Sequence, residues 1–422
     1  MMHCGLDFGT SNTTLGVVTD GAPRLAALEG SHVTLPSAAF FGPRDGVRPS
    51  DPAPRIGRAA IAAYLDGEDG RLMRALKSVL GTALIDETTL IGRNRVGFRD
   101  VIARFLAEVR RRAEADLGRD LGDVVLGRPV QFVTDDAAAN DRAEAALGDI
   151  ARSVGFRNIA FQFEPVAAAL EYERSLDREE LALVADIGGG TSDFTVIRLG
   201  PQRAAREERG ADVLANEGVR IGGTDFDSKL SLATVMPLLG YRTPLLREGL
   251  DVPSWYYFDL ATWSRINLLY QPNVIAGLAG VRRQARQPEL IERLIHVLHE
   301  HAGHGLLMIV EQAKITLSDA LTATMALDAI ERGLTETVGR DRFVSATQAL
   351  ADGIAARIAD CLTAAGTTAD QIDAVFLTGG STSLPHVRRA ILACVPGARA
   401  MDGDRFGAVG LGLGLDARRR FG

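Results

Sequence analysis

A chain of 422 residues, at roughly 150 per domain, has room for nearly three domains, and with 46% apolar and 24% charged residues it is neither disordered, collagen-like nor coiled coil. Its 47 basic and 54 acidic residues leave a formal charge of −7, which argues against nucleic acid or an anionic membrane as a default partner. Cys4, Cys361 and Cys394 lie far apart with no CxxC pair, no run approaches about 18 apolar residues, and Asp7 precedes any apolar stretch, so a cytoplasmic protein without leader or membrane span is expected.

Residues 5–17 (GLDFGTSNTTLGV) read as a strand, a Gly/Thr turn and a second strand. Residues 36–100, rich in Pro and Gly, read as a small capping subdomain. Val101, Phe105, Val109 and Ala113 recur every fourth residue and predict an amphipathic helix over 100–118. A strand at 123–133, a helix at 137–154 and a strand at 158–163 follow. The helix at 165–176 opens with Pro165 in its first turn, and a strand at 181–187 leads into 185–197 (ADIGGGTSDFTVI). That segment echoes 5–17, and two copies of one hairpin point to a duplicated α/β fold of two related lobes. Residues 231–300 hold Trp255, Tyr256, Tyr257, Phe258, Trp263 and Tyr270 and read as a second capping subdomain with its aromatics mostly in the core. Helices are predicted at 290–318 and 345–365. A buried strand at 372–378 ends at Gly379-Gly380, and a helix follows at 384–394.

No lysine follows a glycine, so a P-loop is excluded. Phosphate has two other candidate sites. Main-chain N–H groups converge in Gly-rich turns and make anion-binding concavities, and the turns Gly9, Thr10, Ser11, Asn12 and Gly188, Gly189, Gly190, Thr191 are both of this kind. Asp7 and Asp186 precede the turns and Asp193 follows the second. Carboxylates beside phosphate repel it unless a cation intervenes, which suggests hydrated Mg2+ held through water; the structural alternative is that these Asp residues only cap turns. Gly379, Gly380 and Ser381 end a buried strand ahead of a helix, the usual ligand position in α/β sheets. Glu311, Lys314 and Ser318 share one helical face and could join them in a nucleoside clamp, or form a solvated Glu–Lys pair. His296, His299, His301 and His304 cluster without an HExxH pattern, and an exposed helix is the expectation there.

Taken together, these segments resemble the nucleotide-binding domain of the DnaK-type 70-kDa heat-shock chaperones, members of the actin-like ATPase superfamily with a ribonuclease H-like duplicated fold. Residues 5–12 are similar to the family's first phosphate motif, 163–170 (FEPVAAAL) to its N-E-P-T-A-A-A-L segment, and 186–193 (DIGGGTSD) to D-L-G-G-G-T-F-D. Residues 221–227 (IGGTDFD), with Gly222 and Gly223, resemble L-G-G-E-D-F-D, 311–318 the adenosine-binding helix, and 378–382 the second adenosine motif. The segment from Asp404 to Gly410 resembles the closing D-x-x-x-x-x-G. Details near 127–132 and 162–165 look most like the short bacterial YegD-type branch.

The resemblance implies ATP or ADP with Mg2+ between two lobes. Lobe I would span 1–180 (core 1–35 and 120–180, outer subdomain about 36–119). Lobe II would span 181–422 (core 181–230 and 312–422, outer subdomain about 231–311). Asp7, Asp186 and Asp193 would hold the hydrated metal and Glu164 would orient the attacking water. Lys77 falls in a segment similar to A-I-K-R-L-I-G. The family's catalytic lysine is assigned to V-G-x-x-A-K, where residues 56–61 end in Ile61, so slowed hydrolysis is expected. Ser383 stands where an adenine-stacking Arg is usual. The expected function is a weak Mg-dependent ATPase acting as a nucleotide-gated switch, a monomer without its own peptide-binding domain that meets a protein client or co-chaperone. The alternatives are a non-hydrolysing nucleotide-dependent interaction protein and a sugar or small-molecule kinase of the same superfamily.

Overall fold

The computed structural model describes residues 2–42, 53–91, 94–133, 136–401 and 407–422. Five strands form the first main sheet: β1 (Met2–Phe8), β2 (Asn12–Thr19), β3 (Ala22–Leu25), β4 (Leu121–Arg128) and β5 (Ile159–Phe163), in the order β5-β4-β1-β2-β3. A short strand, Leu35–Pro36, also pairs with β2. The second main sheet holds β6 (Glu180–Ile187), β7 (Ser192–Leu199), β8 (Val213–Val219), β9 (Ala374–Thr378) and β10 (Arg399–Met401), in the order β8-β7-β6-β9-β10. The pairings match. In each sheet a hairpin's first strand runs parallel to two later strands, and its second strand runs antiparallel to the next. The echo between 5–17 and 185–197 is therefore a duplication of architecture.

Local chemistry explains most elements. Helix α1 (Phe98–Leu117) buries Val101, Ile102, Phe105, Leu106, Val109 and Ala113 on one stripe and stops at Gly118, which takes the left-handed conformation (φ 62°) that ends helices. Each such aliphatic or aromatic side chain, fully withdrawn from water, contributes about 1.5–3 kcal/mol. Phe8 packs on Phe105 with ring centroids 5.7 Å apart, so the strand that leads into the first turn is anchored in this core.

Helix α2 (Glu164–Glu173) begins at Glu164 and helix α5 (Ala408–Phe421) closes the described chain. Helix α5 lies against β1, β2 and α2 at backbone distance. A Cβ on Gly412 would stand 1.9 Å from the Ala167 carbonyl oxygen, and one on Gly16 would stand 1.9 Å from the Gly410 carbonyl oxygen. Only glycine permits that approach.

Three expectations are corrected. The strand expected over 123–133 ends at Arg128, because Pro129 has no N–H to extend the ladder. The helix expected over 290–318 is two helices, Pro288–His299 and α4 (Gly303–Asp319), parted where His301 adopts φ 52°. Of the aromatics, Tyr256 and Tyr257 are buried in a short helix, whereas Trp255 and Phe258 are 43% and 45% exposed.

The chain divides into two compact units: residues 1–219 with 357–382 and 391–422, and residues 220–356 with 383–390. The first contains both main sheets. The second contains α3 (Gly223–Leu238), the aromatic segment, α4 and a hairpin of Thr322–Ala326 with Thr335–Gly339.

Candidate functional site

Asp7 lies near the end of β1, one residue before the chain turns through Gly9, Thr10, Ser11 and Asn12 into β2. The turn is braced from outside. The Ser37 hydroxyl donates to the Gly9 carbonyl at 2.6 Å and the Ser37 N–H donates to the Ser11 carbonyl at 2.8 Å. The matching turn between β6 and β7 closes with the Gly188 N–H on the Thr191 carbonyl, 2.9 Å. Its flanking Asp186 and Asp193 are direct cross-strand partners. The two turns meet: a Cβ on Gly189 would lie 2.1 Å from the Ser11 hydroxyl oxygen. Gly379 (φ 78°) ends β9 beside them, and a Cβ there would stand 2.2 Å from the Ile187 carbonyl oxygen.

Glu164, the first residue of α2, is ion-paired with Lys77, which is buried in a short turn after Ala75. Gly127 makes room for that carboxylate, since a Cβ would sit 3.3 Å from Glu164 Cγ. Acid groups therefore crowd the base of the two turns, and their pKa values respond. Desolvation, then the Glu164 charge, pushes Asp7 up to about 8, with Lys77 opposing. Desolvation and the Asp186 charge raise Asp193 to about 7. Desolvation and Glu164 raise Asp186 to about 6, with the Thr378 hydroxyl and Lys77 pulling it back. Burial alone would lower Lys77, but Glu164, Asp7 and Asp186 outweigh it and hold its pKa above the ordinary value.

Burial is the largest cause of each rise, and a divalent cation beside these carboxylates would favour their ionised forms. Among the described residues, no three His, Cys, Asp or Glu side chains are grouped closely enough to hold a metal ion directly. Asp7, Asp186 and Asp193 offer carboxylate oxygens, the donor type that hard divalent cations take.

The Hsp70 protein family model matches residues 76–235 and 297–412, a stretch that takes in Lys77, Glu164, the second turn and Gly379. The chain belongs to the Hsp70 family. The chaperone protein HscA homolog of Cupriavidus pinatubonensis is 26% identical over 97% of this chain and 57% of its own length. The chaperone protein DnaK of Mycoplasma mycoides subsp. mycoides SC is 26% identical over 92% of this chain and 54% of its own. The chain thus spans about half the length of the curated relatives it matches. Its twin sheets are the actin-like ATPase fold of the Hsp70 nucleotide-binding domain.

The placement of Lys77 corrects the sequence analysis. Ile61 lies on the helix Arg58–Leu65 and packs with Ala38, Phe40, Ala60 and Tyr64 in an apolar cluster, not among the carboxylates. Among the described residues it is Lys77 that pairs with Glu164 beside Asp7 and Asp186. The signal was in the sequence, since Lys77 is one of only three lysines and lies in a motif-like segment. Its partner Glu164, however, is 87 residues away.

The remaining motif residues of the first unit are Gly380 and the buried Ser381, in a short turn after Gly379. In the second unit, Gly222 and Gly223 open α3, where the Gly222 N–H donates to Asp225 Oδ2 at 2.8 Å. Lys314 is buried on α4 and donates to Asp227 Oδ2 (2.9 Å) and the Gly223 carbonyl (3.2 Å), so it fastens α4 to the start of α3. Glu311 and Ser318 flank it, half-buried. Asp404 lies outside the described residues. His296, His299 and His301 are exposed, whereas His304 is buried, edge-on to Trp263 with centroids 4.6 Å apart. Expecting an exposed helix for all four was wrong for His304. A cleft of about 660 Å3 elsewhere in the first unit, bordered by His3, Val18, Arg119 and Arg418, contains none of the motif residues.

Proposed function

We propose that the chain is an adenine-nucleotide-binding module of the chaperone type, a Mg-dependent ATPase acting as a nucleotide-gated switch in the cytosol. The observation carrying this reading is the apposition of Ser11 and Gly189, which brings the two Gly-rich turns together close to Asp7, Asp186 and Asp193. Asp7, Asp186 and Asp193 would hold hydrated Mg2+, which when bound screens phosphate charge from the carboxylates. The main-chain amides of residues 9–12 and 188–191 would cradle phosphate oxygens. Lys77, held by Glu164, would face developing charge on the transferred phosphoryl group, and Glu164 would orient the attacking water. Gly379, Gly380 and Ser381 would contact the nucleoside; within the second unit Lys314 positions α4 through Asp227. The three cysteines remain free thiols, which suits a reducing compartment.

Ile61 at the family's catalytic-lysine position would argue for slow turnover. With Lys77 at the carboxylates that argument lapses, and ordinary chaperone-like hydrolysis becomes the working expectation. Titration calorimetry with ATP and Mg2+ tests the reading: binding at micromolar to submillimolar ligand supports it, and no heat up to millimolar ligand removes it. A partner would read the nucleotide state. The half-exposed Trp255 and Phe258 are the favoured contact, and capture of the same proteins by a Trp255→Ala, Phe258→Ala variant would discard them.

A further inference from the structure

Between α2 and the second sheet, the first unit holds a cavity of about 30 Å3 lined by Glu164, Asp186 and Asp193. That is room for one or two water molecules. Strand alternation determines what lines it. Asp186 on β6, Asp193 and Thr195 on β7, Asn216 on β8 and Thr378 on β9 all project from the same face of the sheet. Asp186 pairs across strands with both Asp193 and Thr378, and Thr195 pairs with Asn216.

Two hydrogen-bonding facts stand out. The Thr195 hydroxyl donates to Asn216 Oδ1 at 2.7 Å, which fixes the Asn216 amide and leaves its N–H groups to donate to another acceptor. The Thr378 hydroxyl is buried, with the residue 5% exposed, and has no hydrogen-bond partner. It leans near enough to Asp186 to favour the ionised carboxylate, yet makes no bond of good geometry. A hydroxyl withdrawn from water and left unpaired is costly, and β9 reads Ala-Val-Phe-Leu-Thr, so a valine would fit the run of the strand. A threonine there, facing a water-sized cavity lined by three carboxylates, has a use if water occupies the space.

We propose that Thr378, with the Thr195–Asn216 pair, anchors a buried water that hydrogen-bonds the Asp186 and Asp193 carboxylates and holds them in the orientation hydrolysis requires. The three are positioning residues: they act through the carboxylates and do not touch the nucleotide. A water donating to both carboxylates also softens their mutual repulsion. The inference rests on the ATPase reading above.

The test uses Thr378→Val, which keeps shape and removes the hydroxyl, with Thr378→Ser to restore it and Thr195→Val as a second site. Mg-ATP affinity is measured by calorimetry, hydrolysis by single-turnover kinetics, and stability by thermal melting. Thr378→Val is expected to keep the nucleotide affinity within about twofold and to slow hydrolysis about tenfold, as loss of a group supporting metal-site ligands commonly does. Thr378→Ser should recover most of the rate, and Thr195→Val should show the same split between affinity and rate. A Thr378→Val protein with unchanged rate and a raised melting temperature would overturn the proposal, because the hydroxyl would then be a dry orphan. Should Thr378→Val not fold, an unchanged rate in Thr195→Val overturns it equally. A wild-type chain that binds no Mg-ATP overturns both this inference and the ATPase reading, whereas normal turnover in every variant overturns this inference alone.

Discussion

The Ser11 hydroxyl occupies the space into which a side chain at residue 189 would grow, 2.1 Å from where its Cβ would be. Ser11 is exposed and its hydroxyl can rotate away, so Gly189→Ala is expected to fold with a stability change within about 0.5 kcal/mol. The displaced hydroxyl and the added methyl would spoil the apposition of the two turns, and Mg-ATP affinity should fall tenfold or more. Gly379→Ala is the contrast. There the clash is with the Ile187 backbone and φ is 78°, so a loss of about 1–3 kcal/mol is expected in urea unfolding.

Lys77 and Ile61 make opposite predictions. Lys77→Met leaves Glu164 unpaired beside Asp7 and Asp186 and removes the positioned cation, so single-turnover hydrolysis should fall at least a hundredfold. Ile61→Lys places an ammonium against Phe40 and Tyr64, remote from the carboxylates, and should bring no gain in rate and a loss of about 1 kcal/mol. A faster Ile61→Lys enzyme would return the catalytic cation to the 56–61 segment.

That exchange marks where the sequence is legible. The hairpins at 5–17 and 185–197 were readable because a strand–Gly turn–strand unit is local, with its signal carried by adjacent residues. The Lys77–Glu164 pair joins positions 87 residues apart, and no spacing rule reaches that far. Motif likeness assigned the lysine to a neighbouring segment, and only geometry corrected it. Breaks were missed for a similar reason. His301 leaves the helical conformation although nothing in its residue type requires it, and the Gly410, Gly412, Gly414 series looks like helix-weakening glycine until α5 is seen touching the backbone of β2 and α2. Thr378 sits in an apolar strand and gives no hint of a polar surface facing it.

The acidic floor should make the metal-free protein sensitive to pH in one direction. Asp7, Asp193 and Asp186 have folded pKa values near 8, 7 and 6, all above their ordinary value. The folded chain therefore binds more protons than the unfolded chain between about pH 4 and pH 8, and stability must fall as pH rises through that window. Thermal melts without nucleotide or Mg2+ should show a declining midpoint from pH 6 to pH 8. Asp7→Asn removes the group with the highest pKa and should raise the pH 8 midpoint by roughly 2–5 °C. A midpoint that climbs with pH would show that these carboxylates are already ionised and neutralised.

At the far end of α2 from Glu164, Glu173 is wholly buried and meets Arg209 in two hydrogen bonds, 2.9 and 2.8 Å. Glu173 Oε1 also accepts from the Gly200 N–H at 2.9 Å, and Arg209 is ion-paired with Asp212, so the loop between β7 and β8 is tied to the helix through charges that water does not reach. Such a pair adds little net stability against an apolar substitute, but removing one partner strands a buried charge. Glu173→Gln should therefore cost about 3–5 kcal/mol in urea unfolding, as should Arg209→Met, which leaves Glu173 without its cation while Asp212 keeps Arg203. The pairing Glu173→Leu with Arg209→Met should cost less than the sum of the single changes, although the Gly200 N–H and Asp212 still lose partners. Because α2 begins with Glu164, loosening its other end should also reach the site. Glu173→Gln is expected to slow single-turnover hydrolysis while the protein is still folded, and an unchanged rate would show that α2 is held at its Glu164 end alone.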